Sequence, residues 1–168
     1  MQLMEEQIKD RLAMAVKAVY AGPRLAPPDW TGLVKGTLLH LGHEHGFKVC
    51  SSQPGSDDGE WLYDLVWYTT QGNGEEERLV DVPLVVECEW KIAPARIKED
   101  FEKLLVTNAP LKLFVCCPYS TERAAWMDYF NKTVKGYQRQ RAGECYLIAF
   151  IGNEEGAKPI IFKSIEAT

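Results

Sequence analysis

Residues 111 to 117 read LKLFVCC, a nearly continuous apolar run with Lys112 as its one charge. Segments with helical spacing bound it on both sides. A strand sends alternate side chains to opposite faces, so a run that is apolar at almost every position needs cover on both faces. This excludes a sheet with one wet face and calls for helices above and below it, an α/β fold. The 168 residues are enough to bury such a core in one domain spanning 1–168, and 46% hydrophobic residues exclude a disordered chain.

The remaining segments can be placed around that run. Met4, Ile8, Leu12, Ala15, Val16 and Val19 follow helical spacing. AGPRLAPPD breaks the chain, and Asp29 is placed to cap a second helix with the stripe Trp30, Leu33, Val34, Thr37, Leu38 and Leu41, stopped by Gly46. FKVCSS, EWLYDLVWYTT and LVDVPLVVECEWK read as three strands, with Asn-Gly in the polar connection between the last two and Pro83 tolerable at an edge or bulge. APARIKEDFEKLLVTN is helical, with Ile97, Phe101, Leu104 and Leu105 inward and the pairs Lys98–Glu102 and Glu99–Lys103 on its wet side. After LKLFVCC, Ser120 or Thr121 opens a helix running to about residue 141, and ECYLIAFIG and KPIIFKSI close the chain as strands joined by NEEGA. The pattern predicts a meander of three strands, then a helical crossover to a fourth strand parallel to a neighbour, in a mixed sheet flanked by helices.

Within this frame VVECEWK, residues 85 to 91, stands out. Strand alternation puts Glu87, Glu89 and Lys91 on one face and Val86, Cys88 and Trp90 on the other. An (Asp/Glu)-x-Lys tripeptide arises by chance about once in a chain of this size, so its place counts: it ends a strand, and a helix follows. Asp64 falls in the middle of another predicted strand, where aspartate is disfavoured and its burial needs a partner or a metal. If the two strands pair, Asp64 and Glu89 share a face, with their carboxyl oxygens within about 6 Å. Two such hard carboxylates suit Mg²⁺. The bland alternative for the three charges is a solvated charge ladder. Asp64 in phase on a neighbouring strand favours the metal site over it.

At YDLVWY, ECEWK and the α-β-β-β-α-β order from about residue 29 to 117, the chain resembles the PD-(D/E)XK nuclease superfamily, the restriction-endonuclease-like fold. The resemblance implies metal-dependent phosphodiester hydrolysis with Asp64 as first acid, Glu89 as second and Lys91 as the lysine. It also implies Mg²⁺ or Mn²⁺ as cofactor, with the main-chain carbonyl of Trp90 as a further ligand. An acid from the first core helix often joins such sites, and Glu44 is the candidate here, against simple helix-end solvation. Tyr63 stands where the superfamily's name has proline, and Glu87 is an extra carboxylate beside Glu89. The alternative is an inactive nuclease-fold protein acting as a binding or regulatory module.

Other features constrain partners. Net charge is −5, so any nucleic acid, DNA ahead of RNA, needs a local basic patch. Lys132, Lys135, Arg139 and Arg141 offer one late in the last helix, although cations are favourable at any helix C-terminus. A homodimer would let a small nuclease cut both strands. His40, His43 and His45 read as a surface cluster more readily than a metal site. The five cysteines form no C-x-x-C pair and read as reduced buried thiols of a cytoplasmic protein. The N-terminal segment has neither a leader pattern nor a membrane span.

Overall fold

The computed structural model describes residues 2–21, 27–152 and 158–167, with backbone alone at 27–29. Helices α1 (Gln2–Tyr20) and α2 (Pro27–Glu44) precede strands β1 (Lys48–Ser51), β2 (Leu65–Gln71) and β3 (Arg78–Glu89). Helix α3 (Pro94–Leu105), strand β4 (Leu111–Cys116), helix α4 (Arg123–Gly136) and strands β5 (Cys145–Ile151) and β6 (Ile160–Glu166) follow. Residues 22–26 and the whole NEEGA connection, 153–157, lie outside the described residues.

The six strands form one sheet in chain order, β1 to β6. β1, β2 and β3 are an antiparallel meander, β3, β4 and β5 are parallel, and β6 returns antiparallel on β5. The protein is thus α/β, with a mixed sheet between two helix layers. α1 and α2 cover one face through Ile8, Leu12, Val16, Val34 and Leu38, packed on Leu65, Trp67, Val86 and Leu113. α3 and α4 cover the other through Ile97, Phe101, Leu104, Phe130 and Val134, packed on Val85, Phe114, Tyr146 and Ile148. β4, the central parallel strand, is buried at every residue, as its nearly unbroken apolar run requires.

Local chemistry explains the details. Between the pairs Trp67↔Leu84 and Thr69↔Asp81, the single Tyr68 faces both Val82 and Pro83, a bulge that tolerates the proline. Gly42 lets α2 approach the sheet: a Cβ there would lie 2.6 Å from the Trp67 indole nitrogen and 2.9 Å from Val49. The Trp67 N–H donates to the Leu38 carbonyl at 3.0 Å, locking the helix to β2.

Several boundaries differ from the pattern. α2 begins at Pro27, so Asp29 lies within the helix and does not cap it. α4 stops at Gly136, because Tyr137 turns extended, and not near residue 141. β2 begins only at Leu65. The chain before it turns back, and Asp58 bridges to Cys50 while Asp57 accepts from the Val49 N–H at 2.8 Å.

Candidate functional site

The acids gather at the C-terminal end of β3. Asp64 sits one residue before β2, not in mid-strand, and the reason is visible in its hydrogen bonds. The last register pair of the two strands is Leu65↔Val86. Beyond it the Asp64 carboxylate takes over the ladder, accepting from the Cys88 N–H at 2.8 Å through Oδ2. Its Oδ1 lies 3.0 Å from the Lys35 ammonium of α2. Lys35 is only 3% exposed and also reaches Glu60 and, at 3.3 Å, the Ser52 hydroxyl. Burial works to lower its pKa, but the hydrogen bonds to Glu60 and Asp64 hold it above the ordinary lysine value.

Extending the register places Glu87 opposite Asp64, while Glu89 lies two residues further on, about 7 Å along the strand. Of the β3 acids Glu87 is thus the nearer in register to Asp64, whose own carboxylate is turned to the Cys88 N–H and to Lys35 of α2. Glu87 is 4% exposed, under α3, and so is not itself a solvated member of a charge ladder. Its Oε1 is buried without a hydrogen-bond partner, and its Oε2 lies 3.7 Å from the Lys103 ammonium. Burial pushes the Glu87 carboxyl up to about 8, and the charge of Asp64 adds to the rise. Glu89 accepts from the Lys91 N–H at 2.7 Å. Burial nevertheless raises its pKa, helped by the neighbouring Asp100 carboxyl. Asp100 in turn holds Lys103 at 2.6 Å.

Glu87 and Glu89 share the α3 face, while Cys88 and Trp90 pack toward α2, as strand alternation predicts. The Trp90 ring stacks near Trp30, 6.5 Å between centroids. Lys91 is exposed just past β3, and among the described residues its ammonium joins no ion pair. Glu44 is not brought to this cluster. It pairs with Arg11 at 2.6 Å, and nine residues of helix put it about 13 Å from Lys35 on the opposite side of α2. The histidines also separate: His43 bonds Asp57 at 2.8 Å, His40 bonds the Gly36 carbonyl, and His45 packs on Phe47. The cysteines are all free thiols.

The basic residues of the last helix lie elsewhere. β5 starts beside Leu111, the N-terminal end of the parallel strands, and α4 descends toward that end over about 20 Å. Lys132, Lys135, Arg139 and Arg141 are exposed there, with Lys132 2.7 Å from Asp128 and Arg141 bonded to Asn108. They occupy the opposite end of the sheet from Glu89.

Lys35, Asp100 and Lys103 are site residues that the pattern did not single out. Lys35 carried a signal, a lysine flanked by the apolar stripe of α2. Lys103 lies on the wet side of α3, as its spacing predicts, but it pairs with Asp100 and approaches Glu87, while Glu99 pairs with Arg96 at 3.0 Å.

Among the described residues no three His, Cys, Asp or Glu side chains converge into a ready-made metal cage. Mg²⁺ does not require one, since it binds through one or two carboxylates and keeps several waters. The Glu87 oxygen without a hydrogen-bond partner is a carboxylate donor of the type such an ion takes. No helix among the described residues is long and apolar enough to cross a membrane. The chain matches no protein-family model, no curated protein and no solved structure.

Proposed function

We propose that this α/β protein is a metal-dependent nuclease of the PD-(D/E)XK type, hydrolysing phosphodiester bonds in nucleic acid. One observation carries the reading: Glu87 keeps a buried carboxyl oxygen with no partner, opposite Asp64. Burial favours the protonated form of this acid, and the Lys103 ammonium at 3.7 Å offsets that only in part. Asp64 and Glu87 would hold Mg²⁺ or Mn²⁺, with Glu89 next in line on the same face. The ion would supply charge neutralisation at the phosphate and a nucleophilic water. Lys35 fixes the Asp64 carboxylate through Oδ1, leaving its position set by both α2 and β3. The exposed ammonium of Lys91 is free to neutralise charge on a phosphate oxygen. Lys103 balances Glu87 and Asp100 from α3.

The test is cleavage of single- and double-stranded DNA and RNA in Mn²⁺, with EDTA as control. Lys91→Ala should lower the rate about 100-fold or more with the fold intact. Glu89→Gln and Glu87→Gln should lose cleavage too. Millimolar Mg²⁺ should raise the melting temperature of the wild type, but not of Asp64→Asn or Glu87→Gln. Cleavage that survives in both Lys91→Ala and Glu89→Gln refutes the assignment.

A second reading has its own observation. Lys35 and Lys103 already set ammonium groups beside Asp64 and Glu87, where a metal would otherwise balance their charge. That favours a nuclease-fold protein without catalysis, acting as a binding or regulatory module. It predicts no cleavage of any substrate and no metal-dependent rise in melting temperature.

A further inference from the structure

One cation near the acids has no role in the chemistry above. Arg123 is the first residue of α4, and its Nε and Nη2 are both buried without a hydrogen-bond partner. These two N–H groups form one edge of the guanidinium, the edge that grips a carboxylate or phosphate with two parallel hydrogen bonds. Arginine stays charged at any ordinary pH. Donors shielded from water with no acceptor cost free energy, which a bound anion would return.

The location gives this edge a meaning. Cys116 ends β4 and is the register partner of Glu89. Arg123 opens α4 a few residues after β4 ends, so it lies at the same C-terminal end of the parallel strands as Glu89. Lys35 and Lys103 are committed to acids there, and the four basic residues late in the chain lie at the other end of the sheet. Among the described residues Arg123 joins no ion pair with the neighbouring acids. The site thus holds a Glu87 carboxyl oxygen without a hydrogen-bond partner and a guanidinium edge without an acceptor at Arg123. A phosphodiester supplies the acceptor that Arg123 lacks.

We propose that Arg123 is the phosphate-binding residue of the site, gripping two non-bridging oxygens of the substrate phosphodiester through Nε and Nη2. The identity of the anion rests on the hydrolase reading; the existence of an anion site does not. The same chemistry would take free phosphate, so both sources enter the test.

The full-length wild type, Arg123→Gln and Arg123→Lys are titrated calorimetrically with a short oligothymidylate, and separately with inorganic phosphate. Ca²⁺ replaces Mg²⁺ to hold back turnover, and circular dichroism checks each fold. Cleavage is read separately in Mn²⁺. Arg123→Gln should weaken oligothymidylate binding about tenfold or more, the scale of lost hydrogen bonds to a charged group. Arg123→Lys should recover only part, since it keeps the charge but not the two-pronged edge. Equal binding by wild type and Arg123→Gln overturns the proposal, whether or not the protein cleaves. So does full recovery in Arg123→Lys, or a wild type that binds neither probe. Binding of inorganic phosphate alone overturns the phosphodiester assignment. Arg123-dependent oligothymidylate binding with no cleavage by the wild type upholds the anion site and refutes the hydrolase reading instead.

Discussion

Glu87 shows how much one side chain's surroundings can change its chemistry. An exposed glutamate is ionised at neutral pH, but this carboxyl, buried and within reach of the Asp64 charge, rises to about 8. A carboxyl raised in the folded state binds more protons there than in the unfolded chain. Its contribution to stability is full below the unfolded value and falls as pH rises toward 8. Glu87→Gln mimics the protonated acid and has no such loss. Unfolding free energies should therefore show Glu87→Gln gaining on the wild type between about pH 5 and 8. Mg²⁺ should narrow that gap by favouring the ionised acid. A constant difference across the range would mean that Glu87 titrates normally. The sequence showed that Glu87 and Glu89 share a face, because strand parity is a local property. It did not show that Glu87, and not Glu89, is the one opposite Asp64, because register depends on where β2 begins.

At the scale of elements, α2 decides whether the site is assembled at all. Gly42 and the Trp67–Leu38 hydrogen bond hold the helix against β2, and Lys35 carries that contact to Asp64. Gly42→Ala places a methyl against the Trp67 indole and Val49. Urea unfolding should register a loss of about 1–3 kcal/mol, the range for overpacking a close contact. Lys35→Met strands Asp64 and Glu60 without their cation. Breaking a fully buried pair costs about 3–5 kcal/mol. Solvent at Glu60, 41% exposed, screens part of that, so a loss of about 1–3 kcal/mol is expected. Adding Asp64→Asn to Lys35→Met should restore part of it. An additive double mutant would show that the pair contributes nothing to holding α2. The helical stripe of α2 was plain from sequence, but the role of Lys35 was not. A lysine beside a stripe has many surface uses, and only its 3% exposure distinguishes this one.

At the scale of the molecule, the sheet separates the two charged regions. The acids and Arg123 lie at the C-terminal end of the parallel strands, and Lys132, Lys135 and Arg139 at the other. Neutralising those three should weaken nucleic-acid binding and flatten its salt dependence, while the cleavage rate at saturating substrate stays unchanged. Parallel fluorescence titrations and single-turnover assays would separate the two effects, and a fall in the saturated rate would place the basic residues at the chemistry. By itself the sequence determined the α/β class, the order of elements, the meander and the parallel β4, because hydrophobic periodicity and crossover geometry are written in near neighbours. Only the tertiary structure decided that Glu87 is buried under α3 near Lys103, that Lys35 turns inward to Asp64, that Glu44 answers Arg11, and that α4 ends short with its basic tail far from the acids. Those outcomes depend on where distant strands come into register and which helix face meets the sheet, and such choices are made by packing across the whole core.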